Sequence, residues 1–145
     1  MTKSSRNPES RVLRLPDTLQ HGSALECQRT LEELGIRTVG QLLATTSTIR
    51  DRLILSSKSG FSAAQIREIV SLTEFQLLTG YNAYLVRRLR DVGVKSISDL
   101  ADSDPYDIVH ALLDEPPLWD VPIRDVVTLI STWISEARSR RSVLH

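Results

Sequence analysis

Hydrophobic residues recur along this chain at the spacing of α-helices. In the last long segment they stand three and four residues apart, which places them on one face of a helix. They are Ile123, Val126, Val127, Ile130, Ile134 and Ala137. A segment that opens at Ser62 has the same period, and no stretch alternates apolar and polar residues as a β-strand does. The pattern therefore predicts an all-α protein that is closed by a C-terminal amphipathic helix.

Small polar residues, proline and glycine mark where the predicted helices begin and end. The predicted starts are Thr38, Ser47 or Thr48, the pair Ser62–Gln65, the pair Ser96–Asp99, and Asp104 followed by Pro105. The predicted ends are Gly35, Gly60 and Gly80. Two further helices are predicted over residues 24–34 and 82–92. Residues 12–19 predict a short helix or turn, and Pro116 and Pro117 interrupt the pattern before the last helix.

An internal repeat with an offset of 58 residues is the most informative feature of the sequence. The aligned pairs are Gly22 with Gly80, Leu31 with Leu89, Gly35 with Gly93, Thr38 with Ser96, and Leu42 with Leu100. Physically, the pattern predicts a helical hairpin. The first glycine permits a tight turn, the second ends a helix in a left-handed cap, and the hydroxyl residue caps a short third helix.

This repeat resembles the helix-hairpin-helix superfamily, and the whole of residues 11–138 resembles the proteins catalogued as domain of unknown function 4332. The resemblance implies one compact all-α domain over residues 11–138. Two helix-hairpin-helix motifs would be joined by linker helices and closed by the C-terminal helix. Residues 1–10 are expected to form a disordered leader, and residues 139–145 a basic tail.

The resemblance also implies a way of binding nucleic acid, in which main-chain N–H groups of a Gly-x-Gly turn meet a phosphate. The second glycine of that turn is replaced by Ala24 in the first copy and by Asn82 in the second. Residues 22–36 have a net charge of −2, and residues 80–95 one of +3. The candidate DNA or RNA contacts are therefore Gly80, Asn82, Arg87, Arg88, Arg90 and Lys95. The simpler interpretation is that these arginines cover a solvated helix face.

We prefer protein binding to nucleic-acid binding as the function of this chain. The formal net charge is zero, whereas a dedicated nucleic-acid-binding domain usually carries a basic excess. Trp119 and Tyr84 are the candidate protein-interface residues, because large aromatic side chains are enriched at binding hot spots. Residues 98–125 hold eight acidic residues against Arg124, which suits a basic partner or helix capping. Trp133 lies beside the apolar stripe of the last helix and is expected in the core.

The sequence offers no catalytic motif, and we expect no catalytic residue, metal ion or cofactor. It contains neither a phosphate-binding loop nor a dinucleotide fingerprint. Cys27 is the single cysteine, so an internal disulfide is impossible. His21 and His110 have no partner at ligand spacing. No apolar run is long enough to cross a membrane, and no secretory signal is recognisable. We therefore expect a cytoplasmic protein that binds another protein or, alternatively, a nucleic acid.

Overall fold

The computed structural model describes residues 8–16, 19–114 and 123–140. Within these ranges the chain forms α-helices, one 3-10 turn at Pro8–Ser10 and one isolated antiparallel bridge between Val12 and Thr38, which confirms the all-α prediction. The helices are α1 Ala24–Glu33, α2 Val39–Thr45, α3 Ile49–Ser59, α4 Ala63–Phe75, α5 Ala83–Asp91, α6 Ile97–Ala101, α7 Pro105–Leu113 and α8 Ile123–Arg140. None of these helices is long and apolar enough to cross a membrane.

Side-chain caps set the starts of the helices where the sequence predicts them. Thr38 and Ser62 form complete capping boxes with Gln41 and Gln65. Asp104 caps α7 by accepting a hydrogen bond of 2.8 Å from the N–H of Tyr106. Because each cap satisfies an N–H group that lacks a partner within its helix, these local signals are reliable guides to the boundaries.

The two sequence repeats share the same helix ends. In the first, the N–H of Gly35 donates to the carbonyl of Glu32, and the N–H of Ile36 to that of Leu31. In the second, Gly93 donates to Arg90, and Val94 to Leu89, again 58 residues on. Both are Schellman motifs, in which a left-handed residue satisfies the last carbonyls of a helix. Gly35 and Gly93 have φ angles of +81° and +100°, a region that favours glycine.

Contacts group the chain into two compact units, Met1–Leu77 and Leu78–His145. Each unit contains one copy of the repeat. The extent of one domain over residues 11–138 stays a prediction.

In the first unit, α4 is the central helix, against which α2 and α3 both pack. The side chains of α4 that face this core are Ile66, Ile69 and Val70. Leu13, Leu31 and Leu42 are fully buried in the same core. The 3-10 turn at Pro8–Ser10 packs on α2.

In the second unit, α8 packs against α6 and α7, and α5 contacts α7. The buried side chains of α8 fall on one stripe: Val126, Ile130, Trp133, Ile134 and Ala137. The amphipathic prediction for this helix is therefore confirmed, and Trp133 lies in the core as expected.

Three local predictions differ from the structure or lie outside it. Residues 12–16 are extended and not helical. The N–H of Leu13 donates to the carbonyl of Arg37, and the N–H of Val39 donates to the carbonyl of Arg11, so this segment pairs with the start of α2. The helix α4 ends at Phe75, ahead of the end predicted at Gly80. Residues 115–122, with Pro116, Pro117 and Trp119, lie outside the described residues, as do residues 1–7, 17–18 and 141–145.

Candidate functional site

The candidate phosphate-binding turn of the second repeat begins at Gly80, which is exposed and has a φ of +67°. Asn82 is also exposed, but its backbone is extended, with a φ of −137°. Its side-chain oxygen accepts a hydrogen bond of 3.0 Å from the N–H of Leu85. Asn82 is thus the N-cap of α5, and its oxygen occupies an N–H group of the helix end that a phosphate would need.

The basic residues of α5 divide between surface and interior. Arg87 is exposed, Arg90 is half-buried, and Lys95, beyond the helix, is exposed. Arg88 does not lie on the solvated helix face that the sequence predicts for it, because only 8% of the residue is accessible. Its Nη2 donates a hydrogen bond of 3.1 Å to the carbonyl of Leu112, in the last turn of α7. Arg88 therefore stabilises a helix end and leaves Arg87 and Lys95 as the exposed cations of this surface.

Arginine side chains stabilise other helix ends in the same way. Arg52 Nε donates to the carbonyl of Thr46, the C-cap of α2, over 2.8 Å. Arg138 of α8 donates to the carbonyl of Ala101, the last residue of α6, over 3.0 Å and to that of Ser103 over 3.3 Å. Arg11 donates to the carbonyl of Gln76 after α4. A cation at a helix C-terminus complements the helix dipole, so these basic residues have structural roles.

Of the two protein-interface candidates, Tyr84 lies within the described residues and Trp119 does not. Tyr84 is 41% exposed on α5, and its hydroxyl lies 3.5 Å from Nη1 of Arg88. Tyr81, in the preceding turn, is half-buried, and burial raises the pKa of its phenol. The structure therefore places one candidate aromatic ring partly at the surface beside a buried arginine.

Two strongly exposed large apolar residues of the first unit lie on α3, outside the sequence-derived site. Ile49 is 77% exposed and Leu53, one turn on, is 66% exposed. Together with Ser56 they line a groove whose other wall is Ala63 and Ile66 of α4. Two arginines, Arg52 and Arg67, complete the lining, and none of the described residues that form it is acidic. We call this surface the α3–α4 groove.

A feature of the sequence could have revealed this groove. On a helix, Leu53 and Leu55 are separated by roughly 200°, so they cannot both face one core. Leu55 is the buried residue, with 2% exposed. The apolar pattern of α3 therefore contains two faces, and the second face is exposed.

A second exposed surface lies on α7 of the second unit. Tyr106 is 70% exposed and Leu113 38% exposed, and the ring of His110 lies between them, 4.7 Å from that of Tyr106. Asp104 and Asp107 are exposed at its N-terminal end, and Asp114 at its C-terminal end. We call this surface the acidic α7 face. Its charge agrees with the acidic region noted in the sequence, and Asp99 and Asp104 have the expected capping roles.

A cluster of chemically reactive residues is present in the first unit. Glu68, 8% exposed, accepts main-chain hydrogen bonds from Gln20 and His21 over 2.7 and 2.8 Å, and His21 Nδ1 lies 3.1 Å from its Oε1. The nearby Cys27 is buried, and burial, followed by the charges of Glu26 and Glu68, raises the pKa of its thiol. A nucleophilic cysteine needs a lowered pKa, so the raised pKa of Cys27 does not favour that chemistry. The hydrogen bonds of Glu68 instead stabilise the turn that contains Gln20 and His21.

This cluster also shows what sequence spacing misses. The sequence shows no partner for His21 at ligand spacing, and the residue that contacts its ring, Glu68, lies 47 residues further along the chain. Within the described residues, no group of three histidine, cysteine, aspartate or glutamate side chains is arranged to hold a metal ion.

A protein-family model matches most of the chain. Neither curated proteins nor solved structures match the chain significantly. The family model described as Domain of unknown function (DUF4332) matches residues 21–140, which span both repeats and all of α8. The chain therefore belongs to this family.

Proposed function

We propose that this chain is a non-catalytic protein-binding module of the cytoplasm and that its partner occupies the α3–α4 groove. The observation that carries the proposal is the exposure of Ile49 and Leu53, 77% and 66%, side by side on one helix face. Adjacent exposed apolar side chains in a groove with a polar rim are typical of protein-interaction sites. A helix of the partner is the kind of element that such a groove accepts.

The positions of the basic residues support protein binding over nucleic-acid binding. Arg88 and Arg138 both donate to main-chain carbonyls of helix ends. Asn82 caps α5 with its own side chain. Each of these contacts removes a donor from the set that would otherwise meet phosphates, and phosphate contacts supply most of the affinity in nonspecific nucleic-acid binding.

Within this proposal the scaffold is a pair of helix-hairpin-helix motifs. Gly22 and Gly80 both have positive φ angles in the turns that precede α1 and α5. The matching Schellman motifs at Gly35 and Gly93 support the same interpretation. The motifs then serve to position helices, and the binding surface lies on the linker helices α3 and α4.

The test is affinity capture from native-host extract treated with nuclease, using the full chain and two charge-introducing variants. Leu53→Glu places a carboxylate in the groove. Leu25→Glu makes the same change at an equally exposed residue of α1, 68% accessible, outside the groove lining. We expect the partner to be lost with Leu53→Glu and retained with Leu25→Glu. Equal capture by both variants would exclude the groove.

The alternative function is binding of DNA or RNA through the second repeat. Its support is that Gly80, Arg87 and Lys95 are exposed in one short segment. Fluorescence anisotropy with a labelled oligonucleotide at low salt tests it, because such binding must weaken steeply as salt rises. Binding that disappears in an Arg87→Glu/Lys95→Glu variant and survives in Leu53→Glu would favour this function over the first.

A further inference from the structure

From the same surfaces we infer a specific occupant for the α3–α4 groove: the acidic α7 face of a second copy of this chain. The inference rests on the proposed function, since it assumes that the groove is a binding site. It is carried by the complementary charge and apolar pattern of two surfaces that are both exposed.

The groove selects for an acidic partner. Of the described residues that line it, Arg52 and Arg67 are cationic and none is anionic. Arg52 is held in place by its hydrogen bond of 2.8 Å to the carbonyl of Thr46. Its charge is therefore fixed near the groove before any partner binds, which lowers the entropic cost of forming an ion pair across the interface.

The apolar part of the groove selects for a helix with a short hydrophobic stripe. Ile49 and Leu53 are one helical turn apart, and Ala63 and Ile66 line the opposite wall. A helix that binds in this way presents anchors at positions i, i+4 and i+7. The partner must therefore combine such anchors with acidic residues around them.

The helix α7 has this combination. Tyr106, His110 and Leu113 stand at i, i+4 and i+7 and are all exposed. Asp104, Asp107 and Asp114 are exposed along the same helix or at its ends, and α7 contains no lysine or arginine. Each copy of the chain thus has both a cationic groove and the acidic helix that fits it.

The physical consequence is a weak, salt-sensitive self-association. A contact between one helix and one groove falls at the small end of specific interfaces, where complexes are transient. Its attraction is partly between exposed charges, so added salt screens it. Sedimentation velocity of the full chain over a concentration series, at low and at high salt, measures this association directly.

Charge exchange between two variants provides the decisive test. Arg67→Glu makes the groove less cationic, and Asp107→Lys makes the α7 face less acidic. We expect each variant alone to self-associate about tenfold more weakly than the unchanged chain, because like charges then face each other. In an equimolar mixture the new glutamate meets the new lysine, so association should return. Circular dichroism of each variant verifies that it is folded.

Two further variants keep the test specific to the apolar contact. Leu53→Glu should abolish self-association, whereas Leu25→Glu should leave it unchanged. A chain that is monomeric at every concentration, or a mixture that associates no better than its components, overturns the inference. If the chain is monomeric while capture of another protein still depends on Leu53, the proposed function stands and only the second copy is excluded as occupant.

Discussion

The indole Nε1 of Trp133 donates a hydrogen bond of 2.6 Å to the main-chain carbonyl of Thr79. Trp133 lies on α8 and is fully buried, and Thr79 immediately precedes Gly80. Glu136, one turn along α8, accepts a hydrogen bond of 2.9 Å from the N–H of Thr79. The last helix therefore fixes both main-chain polar groups of the residue that immediately precedes the second repeat.

Replacing Trp133 with phenylalanine removes this hydrogen bond and leaves a smaller ring in the core. We expect a loss of about 2–4 kcal/mol in the free energy of unfolding, from the lost hydrogen bond and from the cavity left by the smaller ring. Urea denaturation followed by circular dichroism measures it. Thr132→Ala, on the same helix, is the control and should change stability by less than about 1 kcal/mol. Equal losses in the two variants would contradict this role for Trp133.

Glu68 supports the turn that leads into the first repeat. Glu68→Gln keeps the shape of the side chain and removes the negative charge that accepts the N–H groups of Gln20 and His21. Hydrogen bonds to a charged group contribute about 1.5–3 kcal/mol, so we expect destabilisation of that order. Glu33→Gln, at an exposed position of α1, should be nearly neutral. Amide exchange of Gln20 and His21 should accelerate only in Glu68→Gln.

The two Schellman glycines should respond alike to substitution. A Cβ at Gly35 or Gly93 meets no atom within 4 Å, so the cost of alanine there comes from the positive φ alone. We expect each alanine variant to lose about 1–2 kcal/mol, and each asparagine variant to lose less, because asparagine tolerates this conformation better. Thermal denaturation of the four variants measures the comparison. A large difference between Gly35→Ala and Gly93→Ala would argue against equivalent helix ends.

Arg88 and Arg87 are adjacent residues with different roles. Arg88→Gln removes a buried guanidinium from the carbonyl of Leu112, and we expect a loss of about 1–3 kcal/mol in the free energy of unfolding. Arg87→Gln changes an exposed side chain and should stay within about 0.5 kcal/mol of the unchanged chain. Chemical denaturation of both variants decides between the interior role of Arg88 and the solvated face expected from the sequence.

Because the thiol of Cys27 is buried, we expect the free energy of unfolding to decrease at alkaline pH. Its pKa is raised in the folded state, mainly by burial, so the unfolded chain loses the thiol proton first. From the unfolded pKa up to the folded pKa the native state binds more protons, and stability therefore decreases as the pH rises. Denaturation at neutral and alkaline pH should show a smaller decrease in Cys27→Ala. Iodoacetamide should modify the thiol at a rate limited by opening of the structure.

Helix boundaries could be predicted because their causes are local. Thr38 and Gln41, or Asp104 and Pro105, lie within one turn of the helix start that they stabilise. The period of α8 could be predicted for the same reason. The repeat could be recognised because a helix that ends in a left-handed residue favours glycine at that position, so glycine recurs at the same place in both copies.

The candidate site could be predicted less well, because its contacts are distant along the chain. The partner of Arg88 is a carbonyl 24 residues away, and carbonyls have no residue signature. Glu68 and His21 are similarly separated. The sequence of α3 has apolar residues on two faces of the helix. Leu55 lies on the buried face, and which face is buried depends on the position of α4.

The arginine contacts at the ends of α2, α6 and α7 have a consequence for acid tolerance. Neither a guanidinium group nor a peptide carbonyl changes its protonation across the physiological range. Helix ends that are held in this way therefore keep their hydrogen bonds when the medium acidifies. The C-terminal ends of these three helices should therefore stay hydrogen-bonded as the pH falls.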